Sequence, residues 1–178
     1  IRGFTNLMGD HFFPIIALFA PLYWIAPGPE ALIVAQAALV AASIVPVFLF
    51  MRARLPGAIA MTLAVAYGLF WGLQRTIAFD VHEAAFAPLA VATAILAMDR
   101  RQWPLFWVAA VAMVLIKEDM IPLLTGVGVY LMFTGERRTG AMLTVGSITL
   151  FVIVIAFVVP FFNNESGTYG YASVYGNL

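Results

Sequence analysis

The sequence has no cysteine. That excludes a disulfide framework, a thiolate metal site and a cysteine nucleophile. Charge is also scarce. Only 10% of the residues are charged, against about 25% in a typical soluble domain. The formal net charge is zero, so no overall field points to nucleic acid as a partner. No phosphate-binding glycine loop, serine nucleophile elbow or HExxH pattern is present. Internal repeats and low-complexity stretches are absent as well. The chain opens on Ile1 and a polar stretch, with no signal peptide pattern, and reads as the middle of a longer protein.

What is abundant is apolar surface. Of 178 residues, 63% are hydrophobic, and the mean hydropathy is +0.99. A water-soluble fold of this length could not hide so much of it, whereas hydrocarbon is as apolar as the side chains facing it. The runs are continuously apolar, so they predict helices, not the alternating strands of a barrel. The expected fold is all-α, a polytopic transmembrane helical bundle. Its spans are expected near 12–26, 30–51, 57–73, 82–98, 103–117, 120–134 and 140–162, within a domain covering 1–162. Several fall short of the ~20 residues a crossing needs. The 103–134 stretch reads either as two spans or as one re-entrant hairpin. Pro21, Pro46, Pro88 and Pro160 predict kinks or breaks.

Basic pairs mark every second loop: Arg52/Arg54, Arg100/Arg101 and Arg137/Arg138. The positive-inside rule makes those loops cytoplasmic. The opposite, extracytoplasmic face then carries Asp10, Glu30, Asp80, Glu83, Glu118, Asp119 and Glu165, with both histidines, His11 and His82. Residues 163–178 read as an extracytoplasmic loop or tail. Asn164-Glu165-Ser166 within it has the N-x-S pattern.

Three polar clusters stand at the ends of spans: Asp10-His11, Asp80-Val81-His82-Glu83 and Lys117-Glu118-Asp119. Ionisable groups at the edge of hydrocarbon are costly and face a polar cavity, a partner or water. Carboxylates can serve as general base or hold a divalent cation, and imidazole can move protons or bind a metal. Asp80 and His82 are the candidate metal ligands, for Mg or Mn. Lys117 and Arg75 could neutralise a phosphate. Structural roles compete with these. Asp80 and Glu83 have capping-box spacing, Asp119 ahead of Pro122 could cap a helix, and Lys117 could snorkel to the headgroups. Collection of all three clusters on one face favours a shared functional cavity. Gly126 and Gly128 would allow close helix approach, although their spacing is not GxxxG. Trp24, Trp71, Trp103 and Trp107 lie near span ends, as belt residues do.

Asp10-His11-Phe12-Phe13-Pro14-Ile15, followed by Ala20-Pro21-Leu22-Tyr23-Trp24, resembles a motif pair of the DUF2079 family of bacterial multi-pass membrane proteins. Phe79-Asp80-Val81-His82-Glu83-Ala84 is similar to that family's FDFHPE-type motif, with its proline position occupied differently. Lys117-Glu118-Asp119 is similar to its KED motif. The resemblance implies a plan like that of GT-C membrane glycosyltransferases, which take a sugar from a polyprenyl-phosphate carrier on the non-cytoplasmic side. It also implies the bacterial cytoplasmic membrane as location, and membrane lipids, a lipid-phosphate sugar or other membrane subunits as partners. The catalytic acid of that class lies after the first span, which this chain would lack. Asp10, His11, Asp80, His82 and Glu83 would then line the acceptor or metal region. Lys117 would approach the donor phosphate, with Glu118 and Asp119 positioning it. A transporter or a non-catalytic subunit of a larger membrane complex are the alternatives.

Overall fold

The computed structural model describes residues 7–163. All regular structure among the described residues is helical. A 3-10 turn at Leu7–Gly9 and a 3-10 segment at Pro14–Phe19 precede α1 (Ala20–Ile25). Then come α2 (Pro29–Ala42), α3 (Ile44–Arg52), α4 (Gly57–Gly68) and α5 (Trp71–Ala78). A 3-10 turn at Glu83–Phe86 leads into α6 (Ala87–Asp99), followed by α7 (Trp103–Ile116) and α8 (Met120–Phe133). α9 (Arg137–Ile153) runs through a π-helical stretch at Val154–Val158 into α10 (Val159–Phe162).

The count of seven membrane spans needs correction. Among the described residues, two helices are long and apolar enough to cross a membrane, Pro29–Arg52 and Arg137–Phe162. A third exists if α4 and α5, bent by 44° at their junction, form one broken span. The remaining apolar helices are too short. α7 and α8 have 14 residues each. At 1.5 Å per residue that is about 21 Å, against roughly 30 Å of hydrocarbon. Hydropathy reports where a chain is apolar. It does not report where the backbone breaks inside an apolar run.

The four prolines stand at changes of helix type, although the apolar helices Pro29–Arg52 and Arg137–Phe162 continue through Pro46 and Pro160. Pro21 and Pro88 fall in the first turns of α1 and α6. Pro46 cannot donate to the Ala42 carbonyl one turn back, and the α2–α3 junction at Ser43 lies there. Ser43 is fully buried, and its hydroxyl bonds the Val40 carbonyl at 2.6 Å and the Tyr67 hydroxyl at 3.1 Å. Pro160 follows the π-helical stretch, whose wider turn accommodates a ring that would otherwise press on the carbonyl of Ala156.

The chain forms two compact units. One spans residues 15–116. Within it, Val40, Leu73 and Ala85 form a buried cluster flanked by Tyr67 and Ile77. α6 and α7 pack together through small buried residues, Ala90, Ala94 and Ala97 on one helix and Ala109 and Ala110 on the other. Arg54 pairs with Asp99, so the loops carrying Arg52/Arg54 and Arg100/Arg101 share one end of this unit.

The other unit, over its described residues, joins 7–14 to 117–163. Its core is the α8–α9 pair. A Cβ on Gly128 would stand 2.4 Å from Thr144 Oγ1 and 2.9 Å from the Gly140 carbonyl, and one on Gly140 would stand 2.6 Å from the Gly128 carbonyl. These two glycines let the helix backbones touch. The Thr125 and Ser147 hydroxyls bond across the same contact at 2.7 Å. Gly126, also expected at a close approach, has open space around it. Of the expected loop or tail at 163–178, only Asn163 is among the described residues, and the N-x-S pattern falls outside them.

Candidate functional site

The first polar site is built around Glu118. α7 stops at Ile116 and α8 starts at Met120, leaving a break of three residues. Hydrogen bonds from Met120 N–H to the Lys117 carbonyl and from Ile121 N–H to the Glu118 carbonyl start the new helix. The break turns Glu118 inward, where it is 3% exposed. Lys117 is half-buried and Asp119 exposed.

His11 reaches Glu118 from a segment that Gly9 seats against the end of α10. A Cβ on Gly9 would sit 2.6 Å from the Phe162 carbonyl oxygen and 3.0 Å from the Asn163 Cα. Any larger residue would lift the Leu7–Gly9 turn off the end of α10. From that anchor, His11 places Nδ1 2.5 Å from Glu118 Oε1, and the Phe12 N–H donates to Oε2 at 2.8 Å. The acceptor is a carboxylate, so Nδ1 carries the hydrogen.

Burial alone would push the Glu118 carboxyl up. The bonds from His11, from its own backbone N–H and from Phe12, together with the His11 charge, outweigh burial and hold it below the ordinary glutamate range. Glu118 is therefore ionised at neutral pH. A carboxylate that accepts from Nδ1 fixes the orientation of the imidazole and directs Nε2 away from it, an arrangement that general bases use. His11 retains 22% side-chain exposure.

The second polar site lies in the 15–116 unit. Asp80 and His82 are exposed and Glu83 is half-buried. The His82 ring approaches the Asp80 backbone carbonyl at 3.1 Å and the Phe79 ring at 5.2 Å between centroids. The expected capping box does not form. His82, not Asp80, occupies the N-cap position of the Glu83–Phe86 turn, without a side-chain cap bond. Asp119 likewise stands at the N-cap of α8 without a cap bond.

The structure brings His11 to Glu118 and groups Asp10, Lys117 and Asp119 with them in one unit. Asp80, His82 and Glu83 form a separate group in the other unit. Sequence reasoning missed Gly9 and Gln36. Gln36 is fully buried in α2 and holds the Phe79–His82 loop. Its signal was present, as the one amide inside the long apolar run from Pro29 to Arg52. Among the described residues, no three His, Cys, Asp or Glu side chains converge as metal ligands would.

Long apolar helices, helix breaks carrying buried charge and intrahelical prolines together define a helical integral membrane protein. The chain belongs to the DUF2079 family, described as a predicted membrane protein, which matches it over residues 1–178. Comparison with curated proteins and with solved structures gave no match.

Proposed function

We propose that this chain is part of a membrane-embedded glycosyltransferase of GT-C-like plan, using a polyprenyl-phosphate-linked sugar on the extracytoplasmic face of the bacterial cytoplasmic membrane. The observation that carries the reading is the His11–Glu118 pair at 2.5 Å, an ionised buried carboxylate orienting an accessible imidazole at a helix break. Such a pair is suited to take the proton from an acceptor hydroxyl as it attacks the sugar carbon and the lipid phosphate departs. Lys117, in the same break, supplies a cation suited to the leaving phosphate. Asp10 and Asp119 flank these groups in sequence. No step runs through a metal. Asp80 and His82 would hold Mg or Mn only with further donors, such as substrate phosphate oxygens.

A transporter is the second reading. The 44° break between α4 and α5 favours it, because discontinuous helices line substrate paths in transporters. A non-catalytic subunit is the third.

The test is deletion of the full-length gene in its own host, with envelope glycolipids and glycoproteins profiled by mass spectrometry. The transferase reading expects one truncated glycan, restored by wild type. An unchanged glycan profile would move transport or a subunit role to the front.

A further inference from the structure

The Phe79–Glu83 loop does not sit beyond the ends of the helices around it. It is clamped to the side of one. The Gln36 amide donates to the Thr76 carbonyl at 2.9 Å and to the Phe79 carbonyl at 3.3 Å, while its oxygen accepts the His82 N–H at 3.0 Å. One carbonyl in the last turn of α5 and two backbone groups of the irregular chain after it are thereby satisfied by one side chain with no exposed surface.

Depth along the helix decides what this means. Arg52 ends the Pro29–Arg52 helix. Gln36 lies roughly 24 Å from it at 1.5 Å per residue, inside the ~30 Å of hydrocarbon. On the same helix, Ile33 and Val34 are 45% and 67% exposed, and they lie still further from Arg52. Exposed apolar side chains at that level suit a lipid-facing surface. Yet Asp80 and His82, on the loop that Gln36 holds, are exposed. So are Gln74 and Arg75 on the preceding helix. Irregular backbone and charged side chains at that depth persist only where they meet protein or water.

We infer that Gln36 is a positioning residue that seats the Phe79–Glu83 loop below the edge of the hydrocarbon, where Asp80 and His82 line a water-filled inlet. The inference rests on the membrane helices and not on sugar transfer.

The absence of cysteine from these residues makes the test clean. The full-length protein, with any other cysteine replaced, is purified in lipid nanodiscs so that both faces are open to reagent. Single-cysteine variants Asp80→Cys and Val34→Cys are labelled with a charged methanethiosulfonate. Asp80→Cys is expected to react at least ten-fold faster, and equal slow rates would overturn the inlet. Gln36→Leu in the Asp80→Cys background removes all three bonds and is expected to change the rate several-fold. Gln36→Glu supplies a readout that packing alone would not move. Ionised, it repels the two carbonyls; protonated, it can donate again, so the Asp80→Cys rate should return toward the parent value as pH falls. A rate independent of pH in Gln36→Glu removes Gln36 from the positioning role, and this titration carries the test if Gln36→Leu fails to insert.

Discussion

At the scale of single residues, the structure separates groups that look alike in sequence. Glu118 and Asp119 are neighbours, yet one is buried and bonded from both sides and the other is exposed. Glu118→Gln keeps the shape but loses the charge that accepts from both His11 and Phe12. It should cost about 1–3 kcal/mol in thermal unfolding of the purified protein. Asp119→Asn should change stability by less than about 0.5 kcal/mol. The pH dependence follows from the sign of the Glu118 shift. Its folded-state affinity for protons is depressed, so its contribution is complete above the ordinary glutamate value, roughly 4.3. It disappears as pH falls through the lower folded value. The penalty of Glu118→Gln should therefore not fade between pH 7 and pH 5 and should shrink only in stronger acid. A penalty that already fades near pH 6 would mean that Glu118 is not held ionised. The His11–Glu118 pairing itself was not legible in the sequence. More than a hundred residues separate the partners, and no local pattern carries that information. Only the placement of both at span ends was visible.

At the scale of helices, the prolines were readable because their effect is local: a missing donor and a ring in the way of one carbonyl. Helix faces were not readable. α7 and α8 are apolar all round, so no period distinguishes the packed side from the lipid side. Gly126 and Gly128 show the consequence. Both were candidates for close approach, and only Gly128 meets its partner helix. Gly128→Ala places a methyl against Thr144 and backbone atoms, and should destabilise by about 1–3 kcal/mol. Gly126→Ala has open space and should be neutral or slightly stabilising through helix propensity. Thermal unfolding of the two variants side by side checks this, and equal effects would contradict the close α8–α9 contact at Gly128.

At the scale of the whole molecule, composition alone established an all-helical membrane chain, because no water-soluble packing suits so apolar a sequence. The number of spans was not established. The Pro29–Arg52 run reads as one crossing and is one. The 103–134 region reads as two crossings or a hairpin, and its two helices are each too short to cross unaided. What divides them is the Lys117-Glu118-Asp119 break, which also builds the candidate site. The central claim is that this break, with His11, is the working centre of a glycosyl transfer. The most direct measurement complements the deletion strain with Glu118→Gln at a membrane level matched to wild type, and reads the envelope glycans by mass spectrometry. The account predicts that wild type restores the truncated glycan and Glu118→Gln does not. Full restoration by Glu118→Gln would contradict it and leave Glu118 as a structural tie between two ends of the chain.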